Sequence, residues 1–195
     1  MKRFILICFL IFGLSSSVSA ISLIGSGISG GGATCSVATN EVGNRVIGAD
    51  STALGGDILR CNLQTPDCSG KLYTAYVYAV YSGDNVKVCV YTDDGDSDPD
   101  AGDTLLVCSG EITSNDTTEW FNGALGSNPS VSTGTNYWVC LISDSTNWST
   151  KKVPEEPGQK YLSLPGSYAS PPSDLTGSWG TNAERNQSAY ITIGD

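Results

Sequence analysis

The amino-acid sequence predicts an all-β domain folded as a two-sheet antiparallel β-sandwich stapled by disulfides, and three observations lead there. From about Asn44 onward, short runs of Val, Ile, Tyr, Leu and Trp alternate with clusters of Gly, Asn, Asp, Ser and Pro, the pattern of strands and turns. No segment carries a long amphipathic helical repeat. Six cysteines remain after removal of an N-terminal leader, an even set without a CxxC pair. At 195 residues the chain has room for one domain.

The strands follow in order. Arg45–Gly48 and Asp57–Asn62 are short, weakly patterned strands. Leu72–Tyr81 (LYTAYVYAVY) is apolar or aromatic at almost every position, which suits a central strand covered on both faces. Val86, Val88 and Val90 alternate with Lys87, Cys89 and Tyr91, a half-buried strand with its valines towards the core. Ser82-Gly83-Asp84-Asn85 reads as a turn that joins these two strands in a hairpin. Leu105–Ile112, a segment near Trp120, Tyr137–Ser143, Tyr161–Leu164 and Ser188–Ile193 complete the set. Such short, regularly spaced strands pack as two antiparallel sheets.

Ahead of the sandwich lie two other segments. Lys2 and Arg3 precede the apolar run Phe4–Leu14, and Val18-Ser19-Ala20 supplies small residues for a peptidase, so residues 1–20 read as a secretory signal peptide. The run is too short to span a bilayer. Residues 21–43 form a Gly/Ser-rich arm whose only sizeable apolar groups near its start are Ile21, Leu23, Ile24 and Ile28. Its composition supports neither a helix nor a core, so the arm is either disordered or borrowed by a sheet, in its own copy or a neighbour's. Residues 44–195 form the body.

Export agrees with the cysteines. Cys35, Cys61, Cys68, Cys89, Cys108 and Cys140 read as three disulfides of a secreted, extracellular or cell-surface protein. Proximity pairs Cys61 with Cys68 around Pro66, neighbouring strands pair Cys89 with Cys108, and elimination leaves Cys35 with Cys140.

The succession VKVCVYTDDGDSDPDAGDTLLVCSGEI, EWFNGAL and VSTGTNYWVCLIS, closed by AYITIG, resembles the jelly-roll β-sandwich modules of secreted, surface-attached and virion proteins. Gly134-Thr135-Asn136-Tyr137-Trp138 is its most specific part, and the resemblance spans about residues 71–143. It implies a jelly-roll-like sandwich and marks a fold more than a function, since such modules serve as glycan-binding, adhesive and structural units. The extra cysteines and a longer, more acidic turn depart from the pattern.

That turn holds Asp93, Asp94, Asp96, Asp98, Asp100 and Asp103 within eleven residues, with no Lys or Arg between Lys87 and Lys151. Crowded carboxylates repel unless a cation sits among them. Calcium, with six to eight oxygen ligands and tolerance of irregular loops, is the candidate cofactor, the alternative being a solvated acidic loop. The spacing is not that of an EF-hand, because Pro99 and Leu105 stand where glycine and glutamate are needed. Among the aromatics, Trp120 and Trp138 lie within strands and read as core. Trp148 and Trp179 stand in polar loop sequence, NWST and GSWG, as candidates for stacking on a sugar ring.

Composition narrows the function. Without histidine there is no Ser-His-Asp or Cys-His set and no His-ligated zinc. Loss of Lys2 and Arg3 with the leader leaves 8 basic and 20 acidic side chains, a net charge of 8 − 20 = −12. Such a chain repels phosphate backbones and anionic lipid, which argues against nucleic-acid binding and, after cleavage, against membrane insertion. Glu111, Glu119, Glu155 and Glu156 stand in no catalytic motif, so the sequence favours a non-enzymatic protein. Asn115-Asp116-Thr117, Asn147-Trp148-Ser149 and Asn186-Gln187-Ser188 match glycosylation sequons. The leading expectation is a structural or adhesive subunit that assembles into filaments with copies of itself, its arm adding a strand to a neighbour. The alternative is a monomeric module that binds an extracellular glycan, with calcium as its cofactor.

Overall fold

The computed structural model describes residues 35–80, 83–153, 161–176 and 186–195, so the leader, Ile21, Leu23, Ile24 and Ile28 of the arm, and Trp179 lie outside the described residues. Among the described residues there is no helix. The strands are β1 (Glu41–Gly43), β2 (Asp50–Ala53), β3 (Ile58–Gln64), β4 (Gly70–Val80), β5 (Asn85–Thr92), β6 (Leu105–Cys108) and β7 (Ile112–Thr113) in the first half. β8 (Thr118–Ala124), β9 (Ser130–Val131), β10 (Tyr137–Ser143), β11 (Ser149–Val153), β12 (Tyr161–Pro165), β13 (Asn186–Gln187) and β14 (Ala189–Gly194) follow.

They form the antiparallel two-sheet sandwich that the alternation implies. One sheet runs β1-β14-β4-β11-β13, with β8 and β9 also on β4 and β2 on β11. The other runs β12-β3-β10-β5-β6, with β7 on β5. Val86, Val88 and Val90 of β5 meet Val139 and Leu141 of β10 and Leu72, Ala75, Val77 and Ala79 of β4 in the layer between the sheets. That is the period-2 reading of β5 realised.

Five local expectations are corrected. β4 and β5 do not pair: β4 bonds β14 and β8 in the first sheet, β5 bonds β10 and β6 in the second, so the turn at Gly83-Asp84 crosses between sheets. Only one face of β4 is fully covered, since Tyr73, Tyr76 and Tyr78 remain half-buried on the other. Residues 45–48 are a loop between β1 and β2, and Leu105–Ile112 breaks into β6 and β7. The body starts earlier than residue 44, because Cys35 is bridged to Cys68 and β1 pairs with β14.

A second apolar cluster covers the outer face of the second sheet. Tyr91, Trp138, Cys140 and Ile142 point away from the first sheet and are buried under Leu164, Tyr168 and Leu175. Trp138 is therefore core, as its strand position suggests, but in this outer cluster. The covering segment is fixed by polar anchors: Tyr91 donates its hydroxyl to Pro172 O at 2.9 Å, and Lys87 Nζ donates to Tyr168 O at 2.9 Å while lying over the Tyr168 ring.

The disulfides are Cys35–Cys68, Cys61–Cys140 and Cys89–Cys108. The Cys89–Cys108 pairing matches the expectation; Cys61–Cys68 and Cys35–Cys140 do not. Cys61 leaves β3 towards the outer cluster directly opposite Cys140 of β10, whereas Cys68 lies beyond the turn at Pro66 and faces the entering chain at Cys35. Each bridge contributes about 2–4 kcal/mol. Three of them fit an oxidising compartment, and among the described residues no helix is long and apolar enough to cross a membrane.

Candidate functional site

The acidic loop between β5 and β6 is organised from inside by one of its own carboxylates. Asp103 is fully buried: Oδ1 accepts the Asp94 N–H at 3.1 Å, and Oδ2 accepts the Asp100 N–H at 3.2 Å and Trp138 Nε1–H at 3.0 Å. It ties both arms of the loop to the tryptophan beneath them, so it serves as a staple and not as an open metal ligand. Asp93 is buried as well, its Oδ1 without a hydrogen-bond partner among the described residues. Asp94, Asp96 and Asp100 are exposed, and each accepts a backbone N–H two residues on, from Asp96 at 3.3 Å, Asp98 at 2.7 Å and Gly102 at 2.5 Å.

These turns bring one oxygen each from Asp94, Asp96 and Asp100 within 4.8 Å of one another. Ligands on a calcium ion sit about 2.3–2.6 Å from it, hence at most about 5 Å apart, so this trio fits one ion with water completing its shell. Asp98 stands outside the trio. Of six candidate ligands, the loop thus gathers three, while Asp93 and Asp103 face inward. At Gly102 a Cβ would lie 2.5 Å from Asp94 Oδ2, so a side chain there would spread the carboxylates.

Burial raises the Asp103 carboxyl to about 6 from 3.8, against the pull of its backbone donors and with the Asp93 charge adding to the rise. Burial likewise raises Asp93 and Glu41. A carboxyl whose folded pKa is raised binds more protons in the folded than in the unfolded state between the two values. Its stabilising effect is complete below the unfolded value and lost as pH rises through the folded one. The melting temperature is therefore expected to rise on acidification from pH ~7 to pH ~5, with a flatter profile in Asp103→Asn than in the exposed-site control Asp94→Asn. Parallel profiles for the two variants would show that Asp103 is not the group responsible.

The aromatic candidates are rearranged. Trp148 is fully buried in the layer between the sheets and donates Nε1–H to Asp84 O at 3.2 Å, so it is closed to ligand. Trp120 is half-buried on the outer face of the first sheet. There it meets Tyr78 edge-on at 5.3 Å and Tyr190 at 5.1 Å, while Tyr190 stacks on Tyr76 at 4.7 Å. Arg45 caps the cluster 4.5 Å from the Tyr190 ring and is ion-paired to Glu41. Beside it, an open groove of about 600 Å³ is lined by Tyr73, Tyr76, Thr74, Thr192, Cys35 and Asp195. The signal for this face was the spacing Tyr76, Tyr78 in β4, which the continuous apolar run concealed.

β8 forms an open edge of the same sheet. In β4, Tyr78 N–H donates towards β14, to Ser188 O at 2.9 Å, so its neighbours Val77 and Ala79 turn their peptide groups towards β8. Their register partners Phe121 and Glu119 face back to β4. Thr118, Trp120 and Asn122 therefore turn their N–H and C=O groups outward, and no strand pairs with them among the described residues. The edge closes at its end, where Ala124 O accepts Gly110 N–H at 2.9 Å. Of the three sequons, Asn115 and Asn147 are exposed and Asn186 is buried in β13. Comparison with protein-family models and with curated protein sequences finds no match for this chain.

Proposed function

We infer that the protein is an extracellular, non-enzymatic structural subunit that assembles with copies of itself, the arm of one copy adding a strand to β8 of the next. The observation that carries this reading is the open edge at Trp120 and Asn122. Natural edges are usually blunted by Lys, Pro or an inward charge; β8, TEWFNGA, carries neither Lys nor Pro, and its one charged residue, Glu119, shares the Phe121 face but is exposed near the start of the strand, so the stretch from Trp120 onward carries no such device. The arm supplies the complement. Its four aliphatic side chains recover less by burial than the backbone loses by ordering, so docking requires the main-chain ladder that an open edge offers. Its glycines permit close approach.

Calcium at Asp94, Asp96 and Asp100 belongs to the same reading as a stabiliser of an exposed loop. A second reading, a glycan-binding module, is favoured by the tyrosine-lined groove on the outer face of the first sheet. The protein cleaved after Ala20 is expected to form filaments or a ladder of oligomers by light scattering and negative-stain microscopy, with a higher melting temperature in calcium than in chelator. Deleting residues 21–32 should leave a folded monomer. A full-length protein that stays monomeric, or a deletion that assembles unchanged, would remove the arm mechanism, and the groove would then be screened against neutral glycans.

A further inference from the structure

Four cysteines form a continuous row across the outer face of the second sheet. Cys61 on β3 is the register partner of Cys140 on β10, Cys140 is also the partner of Cys89 on β5, and Cys89 is the partner of Cys108 on the edge strand β6. The two bridges join the outer pairs, Cys61–Cys140 and Cys89–Cys108. The middle pair, Cys89 and Cys140, is unbridged, yet its side chains stand next to each other in the same buried cluster. Val88 turns its peptide groups towards the end of β6, its O accepting Ser109 N–H at 2.8 Å and its N–H donating to Ser109 Oγ at 3.1 Å, so the peptide groups of Cys89 turn to β10 and make Cys89–Cys140 a hydrogen-bonded pair. Such pairs have Cα atoms about 5.5 Å apart, within the usual range for a disulfide of about 4.4–6.8 Å, and their Cβ atoms, about 5.5 Å apart, must close to about 4.5 Å as the bond forms. Accessibility is graded along the row: Cys61, Cys140 and Cys89 are fully buried, and only Cys108 is half-exposed.

We propose that Cys108 is a thiol-exchange site for small extracellular thiols and that the row relays the exchange to Cys61. The attacking thiolate bonds to Cys108 Sγ, the Cys89–Cys108 bond breaks, and its electron pair leaves on Cys89 Sγ. The Cys89 thiolate attacks Cys140 Sγ, the Cys61–Cys140 bond breaks, and the pair leaves on Cys61, which takes up the proton. Two disulfides and one thiol enter, and two disulfides and one thiol leave, so no oxidant or reductant is consumed. The product carries the small thiol on Cys108, a new Cys89–Cys140 bridge and a free Cys61. Its structural effect falls on β3, which loses its covalent tie to β10 while still pairing with β12, the strand that leads into the cover of the outer cluster.

The test uses the intact protein with its three bridges. It is exposed briefly to reduced glutathione at mildly alkaline pH, quenched and unfolded in acid, labelled with N-ethylmaleimide and mapped by non-reducing mass spectrometry of peptic fragments. Molecules with glutathione on Cys108 are expected to carry maleimide on Cys61 and a Cys89–Cys140 crosslink, with Cys61 labelling raised several-fold over protein not exposed to the thiol. Cys108→Ser supplies an independent arm, since its unpaired Cys89 is expected to hand the free thiol to Cys61 without any added reagent. Maleimide on Cys89 with Cys61–Cys140 intact would overturn the relay, and native protein that acquires no glutathione at Cys108 would overturn the exchange site.

Discussion

Trp148→Ala is expected to destabilise the protein by about 3–5 kcal/mol, the cost of emptying a large buried aromatic site. Trp148 is fully buried between the sheets and its main chain is engaged as well, Trp148 O accepting the Leu54 N–H at 2.8 Å. Removing the indole empties that site and also leaves Asp84 O with the Ser114 N–H, at 3.3 Å, as its remaining donor. Trp148→Phe separates the two losses, because it keeps most of the apolar volume and gives up the hydrogen bond, for about 1–2 kcal/mol. Urea unfolding with the disulfides intact reads both. Against a total stability of roughly 5–15 kcal/mol for an ordinary domain, the alanine variant approaches the limit of folding. A midpoint shift equivalent to less than about 1 kcal/mol would instead place the indole in solvent, where a ligand-stacking residue belongs.

Why the sequence misplaced this residue is instructive. Local patterns report local structure: the alternating valines of Val86–Val90 and the apolar run of Tyr137–Ser143 became β5 and β10. Trp148 has no apolar companion two residues away, since Thr146 and Thr150 are polar, and only the packing of distant strands decides that it turns inward. The same division explains the turn at Gly83-Asp84. A glycine-containing turn between two β runs reads as a hairpin, yet β4 finds its partners in β14 and β8, far along the chain. For the cysteines, nearness in sequence misled at Cys61 and Cys68, because alternation sends Cys61 to the outer face. Neighbouring strands, the ground for pairing Cys89 with Cys108, served better, since the two sit opposite each other on β5 and β6. In the acidic loop six aspartates look alike as sequence; burial alone separates the staple Asp103 from the exposed trio Asp94, Asp96 and Asp100.

Asn122→Pro is expected to abolish assembly while leaving the subunit folded. Proline lacks an N–H, so its effect depends on which way that group points. At Asn122 it points away from β4, and proline is tolerated on a strand edge whose N–H faces solvent. The ladder to β4 survives, whereas an incoming strand loses one donor and meets the pyrrolidine ring. Phe121→Pro, one residue away, should behave in the opposite sense. Phe121 faces Val77 in the β4–β8 ladder and its side chain packs on the inner core, so the substitution breaks an internal bond and costs about 3 kcal/mol or more. The adjacent pair distinguishes loss of assembly from loss of fold, which a single destabilising variant cannot do. Sedimentation and thermal unfolding of the two proteins read the contrast directly. If Asn122→Pro melts like the parent and still forms the parent's oligomers, strand addition does not occur at β8.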